Sequence, residues 1–173
     1  MKPRLLILSD LWGSENLEWL SLYIKKLSVK YEVKFYDSCL LAGIANVNLS
    51  EEERHLHFVG KGINEAVTNL LELEKTAVTI LAFSIGGVIG WKAALKGIKV
   101  THFIAVSSTR LRHEVAQPFC DIMLYYGELD DFKPQKAWFN NFKELDYQLI
   151  LNKNHTMYKE VAIINEVCLR LVN

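Results

Sequence analysis

The chain has 173 residues, half of them hydrophobic, and 20 basic side chains balance 20 acidic ones. That length and apolar content fit one domain spanning residues 1–173, and zero net charge leaves no overall field to draw nucleic acid, an anionic membrane surface or an acidic partner. No run approaches the roughly 18 apolar residues of a membrane-spanning helix, and the opening MKPRLLILSD holds only Leu5 to Leu8 before Ser9 and Asp10, too short for a secretory leader.

Cys39, Cys120 and Cys168 are odd in number, scattered and without metal-type spacing, a pattern that suits reduced thiols in a cytoplasmic protein. Leu5–Ser9 reads as a first strand. Leu17, Leu20, Ile24 and Leu27 recur at helical spacing, with Ser14 placed to cap that helix and Glu15 in its first turn. Tyr31–Tyr36 is a second strand. Ser50 and Glu53 have capping-box spacing, and Ile63 to Leu73 reads as a helix. His55 and His57, one residue apart, would share a face only on an extended segment; with no third ligand nearby, they are read as surface histidines and not as a metal site.

Val78–Ala82 is a buried strand that runs through Phe83 and Ser84 into a helix from Ile85 to Lys96, with Gly97 placed to end it. Thr101–Val106 and Asp121–Tyr126 follow as strands, separated only by Ser107 to Cys120. Tyr147–Leu151 is the last strand. Tyr158 to Leu171 forms the last helix, with Val161, Ile164, Cys168 and Leu171 on one side. Most strands are nearly continuous in apolar residues, as strands covered on both faces should be. Strand and helix alternating through one domain imply an α/β fold: a six-stranded, mostly parallel sheet in a three-layer αβα arrangement. Sites in such folds lie beyond the carboxyl ends of the strands. Asp10-Leu11-Trp12-Gly13, Ser84, Asp130-Asp131 and Asn154-His155 all follow strands and would converge there.

Ser84 occupies a sharp strand-to-helix corner, where a strained backbone requires small neighbours two residues to either side; Ala82 and Gly86 supply them. The helix that follows aims its free amides and positive dipole end at the hydroxyl. A serine hydroxyl is a poor nucleophile without a base and a group to orient that base. Asp130 stands four residues before Pro134 in LYYGELDDFKPQ, and His155 lies in the loop of LILNKNHTMYKE.

Taken together, Ala82-Phe83-Ser84-Ile85-Gly86, Gly127 to Pro134 and His155 resemble the G-x-S-x-G elbow, the post-strand acid motif and the terminal histidine of the α/β-hydrolase superfamily, in the family's order Ser, acid, His. The resemblance spans nearly the whole chain. It implies strand order 2-1-3-4-5-6 in a minimal α/β-hydrolase fold with no cap domain and no antiparallel edge, and an open cleft. It implies Ser84 as nucleophile, His155 as base and Asp130 as acid, with Asp131 as competitor for that last role. The backbone amides of Ile85 and Leu11 would form the oxyanion hole, with Trp12 the alternative to Leu11. Ala82 departs from the first glycine of the motif, and Ser9-Asp10 stand where relatives carry His-Gly.

Other features carry weaker signals. Trp12, Phe83, Trp91 and Trp138 are candidates for an acyl pocket, although large aromatics usually pack in cores. Arg110, Arg112 and His113 form a basic cluster that could meet a carboxylate or phosphate, against the reading of a solvated loop. Gly86, Gly87 and Gly90 match neither a phosphate loop nor a dinucleotide motif, and close helix–sheet packing accounts for them. The expected function is a cofactor-free, metal-free serine hydrolase acting on a small-molecule carboxylic ester or thioester. The alternatives are an acyltransferase or a silent binding module on the same fold.

Overall fold

The computed structural model describes residues 2–15, 17–45 and 48–173. Six strands form one sheet: β1 (Arg4–Leu8), β2 (Glu32–Tyr36), β3 (Val78–Phe83), β4 (Val100–Val106), β5 (Asp121–Gly127) and β6 (Asp146–Ile150). Their order is β2-β1-β3-β4-β5-β6, and every neighbouring pair is parallel. The registers Leu8↔Ala82, Phe83↔Val106 and Gly127↔Ile150 bring the strand ends to a common edge.

Side-chain alternation sends Leu6, Leu8, Ile80, Ala82, Phe103 and Ala105 to one face. There they meet the longer helices α4 (Ile63–Leu73) and α5 (Ile85–Leu95) and the short helices α2 (Ser38–Leu41) and α6 (Lys136–Phe139). Leu5, Ile7, Leu81, Phe83, Ile104 and Val106 go to the other face, under α1 (Glu18–Leu27) and α7 (Val161–Val172). This two-sided burial explains the nearly unbroken apolar runs of β1 and β3, since each fully buried Leu, Ile or Phe is worth roughly 1.5–3 kcal/mol. The edge strand β6 is different, with Asp146 to Leu149 exposed.

Several expected boundaries move. Helix α1 starts at Glu18, not at Ser14, and no side chain caps it. Gly13, at φ +61, breaks the path; a Cβ there would lie 2.3 Å from Asp37 Oδ1. Ser14 donates to Asp37 Oδ2 at 2.5 Å, and Glu15 pairs with Arg54. The Ser50–Glu53 capping box forms in both directions and starts α3 (Glu51–His57). A five-residue π turn, Phe58–Gly62, carries α3 on into α4. His55 and His57 are thus helical, and residues two apart on a helix do not share a face. At the C-terminus, His155–Lys159 is a 3-10 turn capped by Asn154, and α7 starts after it. Val161 is exposed, and the inward stripe is Ile163, Ile164, Val167, Cys168 and Leu171. Among the described residues no helix is long and apolar enough to cross a membrane.

Candidate active site

At the corner between β3 and α5, Ser84 has φ 49 and ψ −117, a backbone conformation that costs a non-glycine residue about 1–3 kcal/mol. Its surroundings over-determine it. Ser84 N donates to the Val106 carbonyl at 3.0 Å, and Gly87 N donates to the Ser84 carbonyl at 3.1 Å. A Cβ on Gly86 would sit 2.5 Å from the Ser9 carbonyl oxygen, and one on Gly87 only 1.9 Å from Ser108 Oγ. Helix α5 therefore presses against β1 and the end of β4, and the hydroxyl is left standing at the sheet edge. Gly90, deeper in α5, packs against Leu8 and Phe103, so close helix–sheet contact does account for the three glycines.

The loop after β5 supplies the carboxylate. Asp130 N donates to the Gly127 carbonyl at 3.1 Å, and Asp130 Oδ1 accepts from Phe132 N at 3.1 Å, which buries and fixes the side chain. Leu129 N donates to the Lys153 carbonyl at 2.8 Å, tying this loop to the one that carries His155. Asp130 Oδ2 lies 2.7 Å from His155 Nδ1, and His155 Nε2 lies 2.9 Å from Ser84 Oγ. The three side chains make a continuous hydrogen-bonded line. Asp131 is exposed and lies beside Arg112 and His113 in a separate hollow.

An open cleft of about 690 Å³ opens onto Ser84 and His155, its wall also including Leu11, Ile85, Arg110, Arg112 and Phe132. The amide of Ile85 begins α5 and, like the first amides of any helix, has no partner within it. The Leu11 amide makes no hydrogen bond to a described residue, whereas Trp12 N donates to Asp10 Oδ1 at 3.0 Å. Trp12 N, the alternative donor, is thus already engaged. A second hollow, about 660 Å³, opens at the opposite, amino-terminal edge of the sheet beside His102 and Asp121, and the Ser84 line has no part in it.

The four aromatic side chains expected to line a pocket are elsewhere. Phe83 is fully buried on the α1/α7 face, 4.9 Å from the rings of both Trp19 and Tyr23, because the next residue along a strand points to the opposite side of the sheet. Trp12 stands under the Arg54 guanidinium at 5.1 Å and does not line the cleft. Trp91 and Trp138 are core residues. His55 does reach the cleft wall, while His57 Nε2 lies 2.9 Å from the Ala42 carbonyl. Among the described residues no group of three or more His, Cys, Asp or Glu could hold a metal ion.

Asp10 has a structural role that its position after β1 only hinted at. It is buried, and its carboxylate accepts from Trp12 N and, at 2.9 Å, from the Tyr158 hydroxyl. Burial holds its carboxyl above the ordinary range, against those two hydrogen bonds and nearby Lys159 and His155. Tyr158 belongs to the same 3-10 turn as His155. Asp10 therefore braces the turn that presents Leu11 against the turn that presents His155. Tyr158 reads in sequence as an ordinary first residue of an amphipathic helix, so nothing there signals this strut.

No protein-family profile matches the sequence, and no curated protein does. Solved structures do match. One is a Xanthomonas campestris pv. campestris protein assigned as a hydrolase of the alpha/beta superfamily, at 15% identity and TM-score 0.73, covering 99% of this chain and 98% of the other. A Thermoplasma acidophilum protein assigned as a CIB-like hydrolase aligns at 17% identity and TM-score 0.70, over 97% and 86%. An alpha-beta serine hydrolase homologue from Coxiella burnetii aligns at 16% identity and TM-score 0.66, over 100% and 89%. With the strand order above, these make the architecture that of a small α/β-hydrolase.

Proposed function

We propose that the protein is a serine hydrolase that cleaves a carboxylic ester or thioester through an acyl-enzyme. The observation that carries this reading is the hydrogen-bonded line from Ser84 through His155 to a buried Asp130, at 2.9 and 2.7 Å. In this mechanism Ser84 Oγ attacks the substrate carbonyl while His155 Nε2 takes its proton. Asp130 keeps the proton of Nδ1 in place and stabilises the imidazolium. The amides of Ile85 and Leu11 receive the oxyanion, each such donor being worth about 3 kcal/mol of barrier. His155 then returns its proton to the departing alcohol or thiol. Water, deprotonated by the same nitrogen, releases the acid and regenerates Ser84.

Hydrolysis is favoured over acyl transfer because the His155 side chain is 37% exposed, so bulk water reaches the base directly. The test is turnover of nitrophenyl esters of rising chain length, with Ser84→Ala as control. Ser84-dependent release of nitrophenol supports the reading, and turnover that appears only with an added alcohol or amine acceptor supports transfer. A folded wild-type protein with no Ser84-dependent turnover on any ester would leave a binding module.

A further inference from the structure

Resting on that reading, we propose that the cleft selects acyl substrates carrying an anionic group, a carboxylate or a phosphate, and that Arg110 is the residue that meets it. Arg110 sits in the 3-10 turn Thr109–His113 directly after β4, and it lines the same cleft as Ser84 and His155. Its guanidinium makes no ion pair or hydrogen bond to any described residue, although it is half-buried.

The neighbouring cations do have partners. Arg112 Nη1 donates to the Thr109 carbonyl at 2.9 Å, and the Arg112 guanidinium stands 5.8 Å from the Phe132 ring. Lys92 pairs with Glu114 at 3.0 Å. His113 borders the other hollow, beside Asp131. Arg112 also lines the cleft, but its Nη1 is held by the Thr109 carbonyl; Arg110 presents five donors with no hydrogen-bond partner among the described residues, in the fork geometry that fits a carboxylate or phosphate.

Partial burial, and after it the nearby charge of Arg112, lower the Arg110 pKa against the opposing pull of the Glu114 carboxylate, so the cationic form is held at a cost that a bound anion would offset. Glu51 and Glu52 also reach the cleft, which raises the opposite possibility of a cationic substrate. They are exposed and sit in the first turn of α3, where the helix dipole already favours acidic side chains. They need no ligand to explain them; Arg110 does. Leu11, Ile85 and Phe132 supply apolar wall for the rest of an acyl chain.

The test compares nitrophenyl hexanoate with two esters of matched length that end in a carboxylate (nitrophenyl hydrogen adipate) or a phosphonate. The readout is the ratio of kcat/KM for each anionic ester to that of hexanoate. The wild type should favour at least one anionic ester by about tenfold or more, as expected for a charge-assisted pair, and the favoured arm separates carboxylate from phosphate. Added salt should shrink the ratio. Arg110→Gln should bring it close to one, and Arg110→Lys should recover part of it. A wild-type ratio at or below one in both arms overturns the proposal, as does a ratio that Arg110→Gln leaves unchanged. If no ester is turned over, the hydrolase reading fails separately. Binding of adipate and phenylphosphonate, measured calorimetrically on wild type and Arg110→Gln, then decides the anion site: weakening in the variant supports it, and no binding to wild type overturns it.

Discussion

Two strand-to-helix corners sit side by side at the carboxyl edge of the sheet, and they are built in different ways. At the β3–α5 corner the turn is a single residue, and backbone sterics dictate its sequence: Ser84 at positive φ, Ala82 buried behind it and Gly86 against β1. At the β1–α1 corner the chain takes a long detour before α1, held by side chains that come from far away. Asp37 accepts from Ser14, Arg54 donates to Glu15 and lies over Trp12, and the Tyr158 hydroxyl donates to Asp10. A corner fixed by local backbone demands can be read one residue at a time. A corner fixed by remote side chains becomes visible only once the fold is closed.

Mutations separate the two corners. The largest effect belongs to the first: Ser84→Ala or His155→Ala should lower kcat by about 10⁴-fold or more, and Asp130→Asn by a similar order, because loss of the orienting carboxylate leaves the imidazole in the wrong tautomer. Next is Gly86→Ala, whose new Cβ would press on the Ser9 carbonyl that both corners share. Overpacking of that kind costs typically about 1–3 kcal/mol, and urea unfolding should show it together with reduced turnover. Tyr158→Phe leaves one oxygen of buried Asp10 without its donor, for a stability loss of about 1–3 kcal/mol. Turnover should fall well short of the Ser84→Ala loss, since the strut positions Leu11 and His155 and touches no reacting atom.

A pH series sharpens the role of Asp10. Its carboxyl is raised above 3.8 in the folded protein, so the native state binds that proton more tightly than the unfolded chain. The stability of wild type relative to Asp10→Asn should therefore fall as pH rises from 3.8 through the higher native value, and then level off above it. Urea midpoints at several pH values would show it; a difference that stays flat or rises would contradict the burial account. The smallest effect is expected for Asp131→Asn, under about twofold in turnover, as for an exposed side chain outside the hydrogen-bonded line.

The same contrast explains what was legible in the sequence. The parallel sheet and its common edge follow from alternating apolar runs and crossovers, the strand order from the resemblance to the α/β-hydrolase superfamily, and the expectation that Ser84, His155 and Asp130 meet from motifs whose backbone requirements are local. Phe83 was misplaced because adjacency in sequence suggests adjacency to the site, while strand parity turns it to the face shared with Leu81. Trp12 was misplaced because Arg54, on α3, holds its ring. Ser14 looked like a cap until Asp37 took its hydroxyl. Each error lies at the corner built from remote side chains, or at a face choice that periodicity alone leaves open.

The most direct measurement is covalent capture. Purified protein would be treated with a fluorophosphonate, digested and sequenced by mass spectrometry, beside Ser84→Ala and His155→Ala. One phosphonylated residue is expected, Ser84, with no adduct in the first variant and a strongly slowed one in the second. An intact, folded wild type that stays unlabelled, or an adduct on another residue that survives Ser84→Ala, would contradict this expectation.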